Sequence, residues 1–99
     1  MEQEKSLQEW IGAVCAIDDS TGIPQGIYVI EECAELAKEL TKDQRGKGNR
    51  EKIVEEACDV LTTVAILLHK YGVSQEEIEK QIRFKCRRAV GRWQEEGEM

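Results

Sequence analysis

Glu31-Glu32-Cys33-Ala34-Glu35, followed after twenty residues by Glu56-Ala57-Cys58-Asp59, is the stretch on which the reading of this 99-residue chain turns. Each segment sits in the middle of a run with helical periodicity. Glu32 with Glu35 and Glu56 with Asp59 are therefore i,i+3 pairs that show two carboxylates on one helical face. Like charges at that spacing repel, and packing gives no reason to place them twice. Two such pairs facing each other supply four hard oxygen donors, which suit Mg²⁺ or Mn²⁺ better than zinc. One ExxE alone says little, because 20 acidic residues in 99 often fall at helical spacing on a solvated face. It is the doubling, inside apolar helical runs, that carries weight.

The flanking sequence predicts four helices. Leu7, Trp10, Ile11, Val14 and Cys15 follow the 3,4,7,8 spacing, and Ser6 with Glu9 forms a capping-box pair, so a first helix is expected over 6–17. Asp18 to Gly22 reads as a loop, and Pro24 suits the first turn of a second helix reaching Leu40 or Thr41. That helix is apolar over more than one stripe, which suggests contacts with its own chain and with a partner. Thr41 to Asn49 is Gly-containing, charged and aperiodic. It reads as a hairpin connection rather than a P-loop, since no strand precedes it and the GxxxxGK[ST] order is missing. A third helix is expected from Asn49 or Arg50 to Lys70, capped by Asn49 and stopped at Tyr71-Gly72. Ser74 to Glu77 is a second capping-box pattern and opens a fourth helix ending near Trp93. Beside its apolar i+4 stripe runs a basic line that includes Lys85, Arg88 and Arg92.

Short connections between four helices imply an all-α, four-helix antiparallel bundle-like domain, one unit over 1–99 with its ordered core about 6–93, assembling through helix packing. So short a chain buries little surface, and apolar residues on several helix faces point to a homodimer or homotetramer. A composition 40% hydrophobic and 34% charged is that of an ordinary soluble domain. The net charge of −6 argues against nonspecific binding to nucleic acid or an anionic membrane. The polar, acidic opening Met1 to Lys5 is unlike a secretory signal, and no apolar run is long enough to span a bilayer, so a cytoplasmic location is expected. The cysteines at 15, 33, 58 and 86 form no CxxC pair and read as reduced core residues.

An antiparallel arrangement brings the two acidic segments together, and four buried carboxylates are prohibitive without compensation. Divalent cations provide it, and cations on carboxylates can in turn hold a polyphosphate and polarise a water. The basic residues Lys85, Arg88 and Arg92 then have a use at the phosphates, against the alternative of a solvated basic face. Di-iron chemistry is disfavoured because neither acidic pair is followed by the histidine of a Glu-x-x-His motif. His69, in the last turn of the third helix, reads as a partner of the helix dipole or of a tertiary hydrogen bond rather than as a catalyst.

The pattern EExxE, then a gap, then ExxD resembles the hallmark of the all-alpha nucleoside triphosphate pyrophosphohydrolases of the MazG-like superfamily. The resemblance implies Glu32, Glu35, Glu56 and Asp59 as Mg²⁺ ligands, and Glu31 as the group that orients or deprotonates the attacking water. It implies cleavage of a nucleoside triphosphate between the α and β phosphates, releasing a monophosphate and pyrophosphate. Lys85 and Arg88 match a basic pair of the family's fourth helix, whereas Arg83 and Phe84 stand where asparagines are common. Trp10 and Tyr28 are the candidates for holding the base. Phosphoribosyl-ATP pyrophosphatase, which shares both acidic motifs and often a Gly-Val-Ser start to its last helix, is the alternative enzyme. A helical interaction module with an acidic face is the non-enzymatic one.

Overall fold

The computed structural model describes residues 4–96, and those residues form four helices without a strand. They are α1 (Leu7–Thr21), α2 (Gln25–Gln44), α3 (Arg50–Lys70) and α4 (Gln75–Glu95). The expected all-α class and helix count are thus observed. The predicted caps do the work assigned to them. Ser6 accepts from the Glu9 backbone N–H while Glu9 accepts from that of Ser6, and Asn49 accepts from the Lys52 backbone N–H. Ser74 likewise accepts from Glu77, although the return bond that would complete a second capping box is not made.

The boundaries shift where polar side chains prolong a helix beyond its apolar stripe. Asp18 to Thr21, expected as loop, is the last turn of α1, with Ser20 and Thr21 donating to the carbonyls of Ile17 and Asp18. That turn is polar because it faces outward, so periodicity stops before the helix does. Pro24 caps α2 from outside instead of entering its first turn. The helix then runs on to Gln44, past the expected end at Leu40 or Thr41. The tail expected to fray after Trp93 is helical to Glu95, and its last three residues lie outside the described residues.

α3 is the element on which α1 and α2 lean. It packs along α2 and, over a shorter length, against α1. Ile66 on α3 and Cys15 on α1 are the buried apolar side chains among the described residues. Where α1 crosses α3, Gly12 comes so close to His69 that a Cβ at position 12 would lie 3.5 Å from the imidazole Nε2. His69 is thus the floor of a helix crossing, a packing position rather than the tertiary hydrogen bond expected of it. Near that crossing Lys70 pairs with Asp19 at 3.0 Å.

α3 ends in a Schellman motif. Gly72, at φ 71°, donates to His69 O at 2.9 Å, and Val73 donates to Leu68 O at 3.0 Å. The motif aims α4 away from the rest of the chain. α4 contains no buried residue and makes no substantial contact with α1 or α2. The radius of gyration is accordingly 17.3 Å, against roughly 13 Å for a compact chain of this length. The four helices are those expected, but one chain does not close them into a bundle.

All four cysteines are free thiols, as expected, but only Cys15 is the core residue they were all expected to be. Cys33, Cys58 and Cys86 are exposed, because the apolar faces that carry them have no covering helix within the chain. Leu7, Ile30, Leu61, Ile82 and Phe84 are likewise more than half exposed. No described helix is long and apolar enough to cross a membrane.

The α2–α3 turn fixes how the two helices pair. A Cβ at Gly48 would lie 2.7 Å from the Asp43 Cα, closer than real side chains approach. Gly48→Ala should therefore destabilise the hairpin by about 1–3 kcal/mol through overpacking, read as a lower urea midpoint. Gly26→Ala, which meets no atom within 4 Å, is the matched control and should leave the midpoint the same or higher.

Candidate metal centre

α2 and α3 meet along a polar seam. Gln25, Glu32 and Glu39 recur every seven residues on α2, which places them on one face about 10.5 Å apart along the axis. Opposite them on α3 stand Thr63 and Glu56. The Gln25 amide donates to Thr63 O at 3.5 Å, and seven residues on in α2 and seven back in α3 Glu32 meets Glu56. A single antiparallel register accounts for both contacts.

The middle of the seam gathers three carboxylates. Glu32 from α2 and Glu56 and Asp59 from α3 each place one oxygen within 4.8 Å of the other two. Glu56 is 7% exposed, Glu32 is half-buried and Asp59 is open to solvent. Burial holds the Glu32 carboxyl above its ordinary range, and the charges of Asp59, Glu56, Glu35 and Glu31 push it the same way. Glu35, the fourth expected ligand, is exposed one turn beyond Glu32. It lies within reach of Glu32 electrostatically but outside the tight group. Glu31 is exposed next to it on the helix.

Two lysines offset acidic charge along the seam, Lys52 within the group and Lys42 at the far end of α2, and the sequence reading did not single out either. Lys52 Nζ lies 3.3 Å from Glu56 and 3.4 Å from Glu55, and the bond to Glu56 is the main reason its own pKa is raised. Lys42 serves the buried Glu39 at 3.3 Å. Both are legible in retrospect as i+4 or i+3 neighbours of a buried acid. Gln25 was also missed. It is 4% exposed, and its Oε1 has no hydrogen-bond partner.

The remaining candidates are more scattered. Tyr28 is half-buried on α2, one turn before Glu32 and on the same side. Trp10 is 47% exposed on α1, with its indole N–H donating to Glu4 and the Lys5 ammonium 5.3 Å from the ring. Lys85, Arg88 and Arg92 are exposed on α4. Arg88 stacks over Phe84 at 5.5 Å, and none of the three forms an ion pair among the described residues.

The donor set decides what the cluster can hold. It consists of carboxylate oxygens alone, without histidine or thiolate, and one lysine cannot neutralise three acids. A hard divalent cation fits such a group, while zinc and iron sites draw on nitrogen or sulfur donors.

The raised Glu32 pKa has a defined sign in stability. The folded chain holds the Glu32 proton more tightly than the unfolded chain does. This contribution is therefore largest below the ordinary value of 4.5 and is lost as pH rises through the elevated folded value. Glu32→Gln removes it. In metal-free buffer the melting temperature of Glu32→Gln should exceed that of the parent at pH 7, with the gap closing near pH 4. Differential scanning calorimetry across that range in a chelator measures it.

A model of the MazG nucleotide pyrophosphohydrolase domain matches residues 25–90, from the first residue of α2 to well inside α4. The matched span contains both acidic segments and the Lys85/Arg88 pair, and it leaves Trp10 and Arg92 outside. No curated protein and no solved structure matches the chain. With the whole α2–α3 hairpin and its acidic seam inside that span, the chain belongs to the MazG nucleotide pyrophosphohydrolase family.

Proposed function

We propose that the chain is a Mg²⁺-dependent enzyme that hydrolyses nucleoside or deoxynucleoside triphosphates between the α and β phosphates. The observation that carries this reading is the convergence of Glu32, Glu56 and Asp59 from two helices into an all-oxygen donor group within a MazG-family hairpin. Glu32, Glu35, Glu56 and Asp59 would hold Mg²⁺, or Mn²⁺ in its place. Glu35 is the ligand whose exposed side chain has freedom to swing in from the next turn of α2. When bound, such a cation offsets the charge of the phosphate oxygens and acidifies a water.

The protein's own groups do the rest. Glu31, exposed and next to Glu32 in α2, is the residue assigned to accept the proton of the attacking water. The water oxygen bonds to the α phosphorus, the bridging oxygen leaves with pyrophosphate, and the other product is the nucleoside monophosphate. Lys85, Arg88 and Arg92 are assigned to the phosphate chain, where fixed positive charge stabilises what develops on the leaving group. Tyr28, one turn from Glu32, is the nearer candidate for the base. Trp10 is the second, and its use requires the indole to leave Glu4.

The exposed apolar residues of all four helices support a homodimer or homotetramer, since a lone chain buries only Cys15 and Ile66 as apolar core among the described residues. Light scattering on the eluting protein should give at least twice the 11.3 kDa chain mass. A monomer throughout the micromolar range would overturn this assembly.

Turnover is tested by pyrophosphate release with Mg²⁺ over canonical and modified nucleoside triphosphates, with phosphoribosyl-ATP included. Asp59→Asn should lower the best activity by more than about 100-fold, the upper end seen when a group that merely supports a ligand is removed, with the helical circular dichroism unchanged. Activity confined to phosphoribosyl-ATP would replace the substrate assignment. An active Asp59→Asn variant would remove Asp59 from the metal site, and a wild-type chain inert on every substrate would favour an acidic interaction module.

A further inference from the structure

Lys52 is the cation that the chain itself brings to the acidic group. Its Nζ lies 3.3 Å from Glu56 Oε1 and 3.4 Å from Glu55 Oε1. The two acids differ sharply in exposure, the Glu56 side chain being 9% exposed and that of Glu55 62%. Water solvates Glu55 without help but reaches little of Glu56, and a buried carboxylate without a partner is costly. Among the described residues Lys52 is the sole ion-pair partner of Glu56, and neither Glu32 nor Asp59 has one.

Glu56 is also the buried member of the three carboxylates that converge. Anything that binds the group through Glu56 therefore meets a carboxylate already held by an ammonium. A divalent cation on the same carboxylate repels that ammonium, so the two compete for it. Glu55 gives the ammonium somewhere to go. It is solvated and already within ion-pair distance, so Lys52 can release Glu56 and keep a partner. Lys42, further along the seam, lacks this second seat, because among the described residues it pairs with Glu39 alone.

We propose that Lys52 is a built-in stand-in for the metal: it holds the buried Glu56 carboxylate in the empty protein, and a divalent cation displaces it onto Glu55. Lys52 is thus a positioning residue whose charge sets how tightly the group binds its cation. The inference rests on the metal role proposed above for Glu32, Glu56 and Asp59, and it adds a residue that opposes that binding. A cation that arrives with negatively charged phosphates feels less of this opposition, so the site favours the metal–nucleotide complex over the free ion.

Mn²⁺ binding without nucleotide, read from the loss of the free-ion electron paramagnetic resonance signal, tests the displacement. Lys52→Met keeps the aliphatic stem and removes the charge. In about 0.15 M salt it should bind Mn²⁺ about tenfold more tightly than the parent, the repulsion expected between a single and a double charge about 6 Å apart at a protein surface. Lys42→Met removes the same charge beside Glu39, seven residues and about 10.5 Å along α2 from Glu32, and should change the affinity less than about twofold. In a chelator Lys52→Met should melt at least about 4 °C below the parent, since Glu56 is left buried and unpaired, and saturating Mn²⁺ should close the gap. Lys52→Gln, whose amide can still donate to Glu56, carries the same affinity expectation should Lys52→Met melt below the assay temperature. Equal or weaker Mn²⁺ binding after loss of the Lys52 charge, or a gain matched by Lys42→Met, would overturn the proposal and leave the metal site standing. A parent and variants that all fail to bind Mn²⁺ would overturn it together with the metal role of the cluster.

Discussion

The packing of α2 against α3 depends on how like charges are tolerated in the seam between them. An amphipathic hairpin of this length would ordinarily place aliphatic residues at the positions of Gln25, Glu32, Glu39 and Glu56. Here those positions are polar or acidic and, apart from Glu32, nearly fully covered. Removing a carboxylate from water costs several kcal/mol unless a cation or hydrogen bonds replace the hydration. The chain compensates the two ends of the seam and part of its middle. Gln25 donates to Thr63, Lys42 covers Glu39 and Lys52 covers Glu56. The group of Glu32 and Asp59 is left with repulsion alone, and the direction of the Glu32 shift records it. The hairpin is thus compensated at Glu39 and Glu56 and in part at Gln25, whose Oε1 stays without a partner, while its centre keeps an unfavourable arrangement.

Local physics made most of the fold legible. Ser6, Asn49 and Ser74 announce helix starts because their side chains satisfy backbone N–H groups only three residues away, and Gly72 announces a stop because it alone tolerates φ 71° there without cost. The acidic motif was legible for a related reason, since i,i+3 spacing and antiparallel pairing decide which residues share a face. Asp18 to Thr21 escaped because hydrophobic periodicity reports contact with a core, and a solvated last turn has none. Cys33, Cys58 and α4 were misplaced for a subtler reason. A pattern of apolar residues says that a face is to be covered and is silent on which chain covers it. Gln25 and Lys52 were overlooked because a lone amide or lysine carries no signal until the register of the hairpin reveals what stands opposite.

The two faces of α3 set different requirements, and meeting one does not meet the other. Leu61, Val64 and Leu68 line an aliphatic groove on the side away from α2. Leu61 and Ile82 there are more than half exposed, so covering that side gains by removing apolar surface from water. Glu56 and Asp59 lie about half a helical turn round the axis, where α3 meets Glu32 of α2. Covering the aliphatic side leaves their mutual repulsion as it was. Whatever relieves it has to enter the seam between α2 and α3, and a donor set made only of carboxylate oxygens favours a small hard cation there.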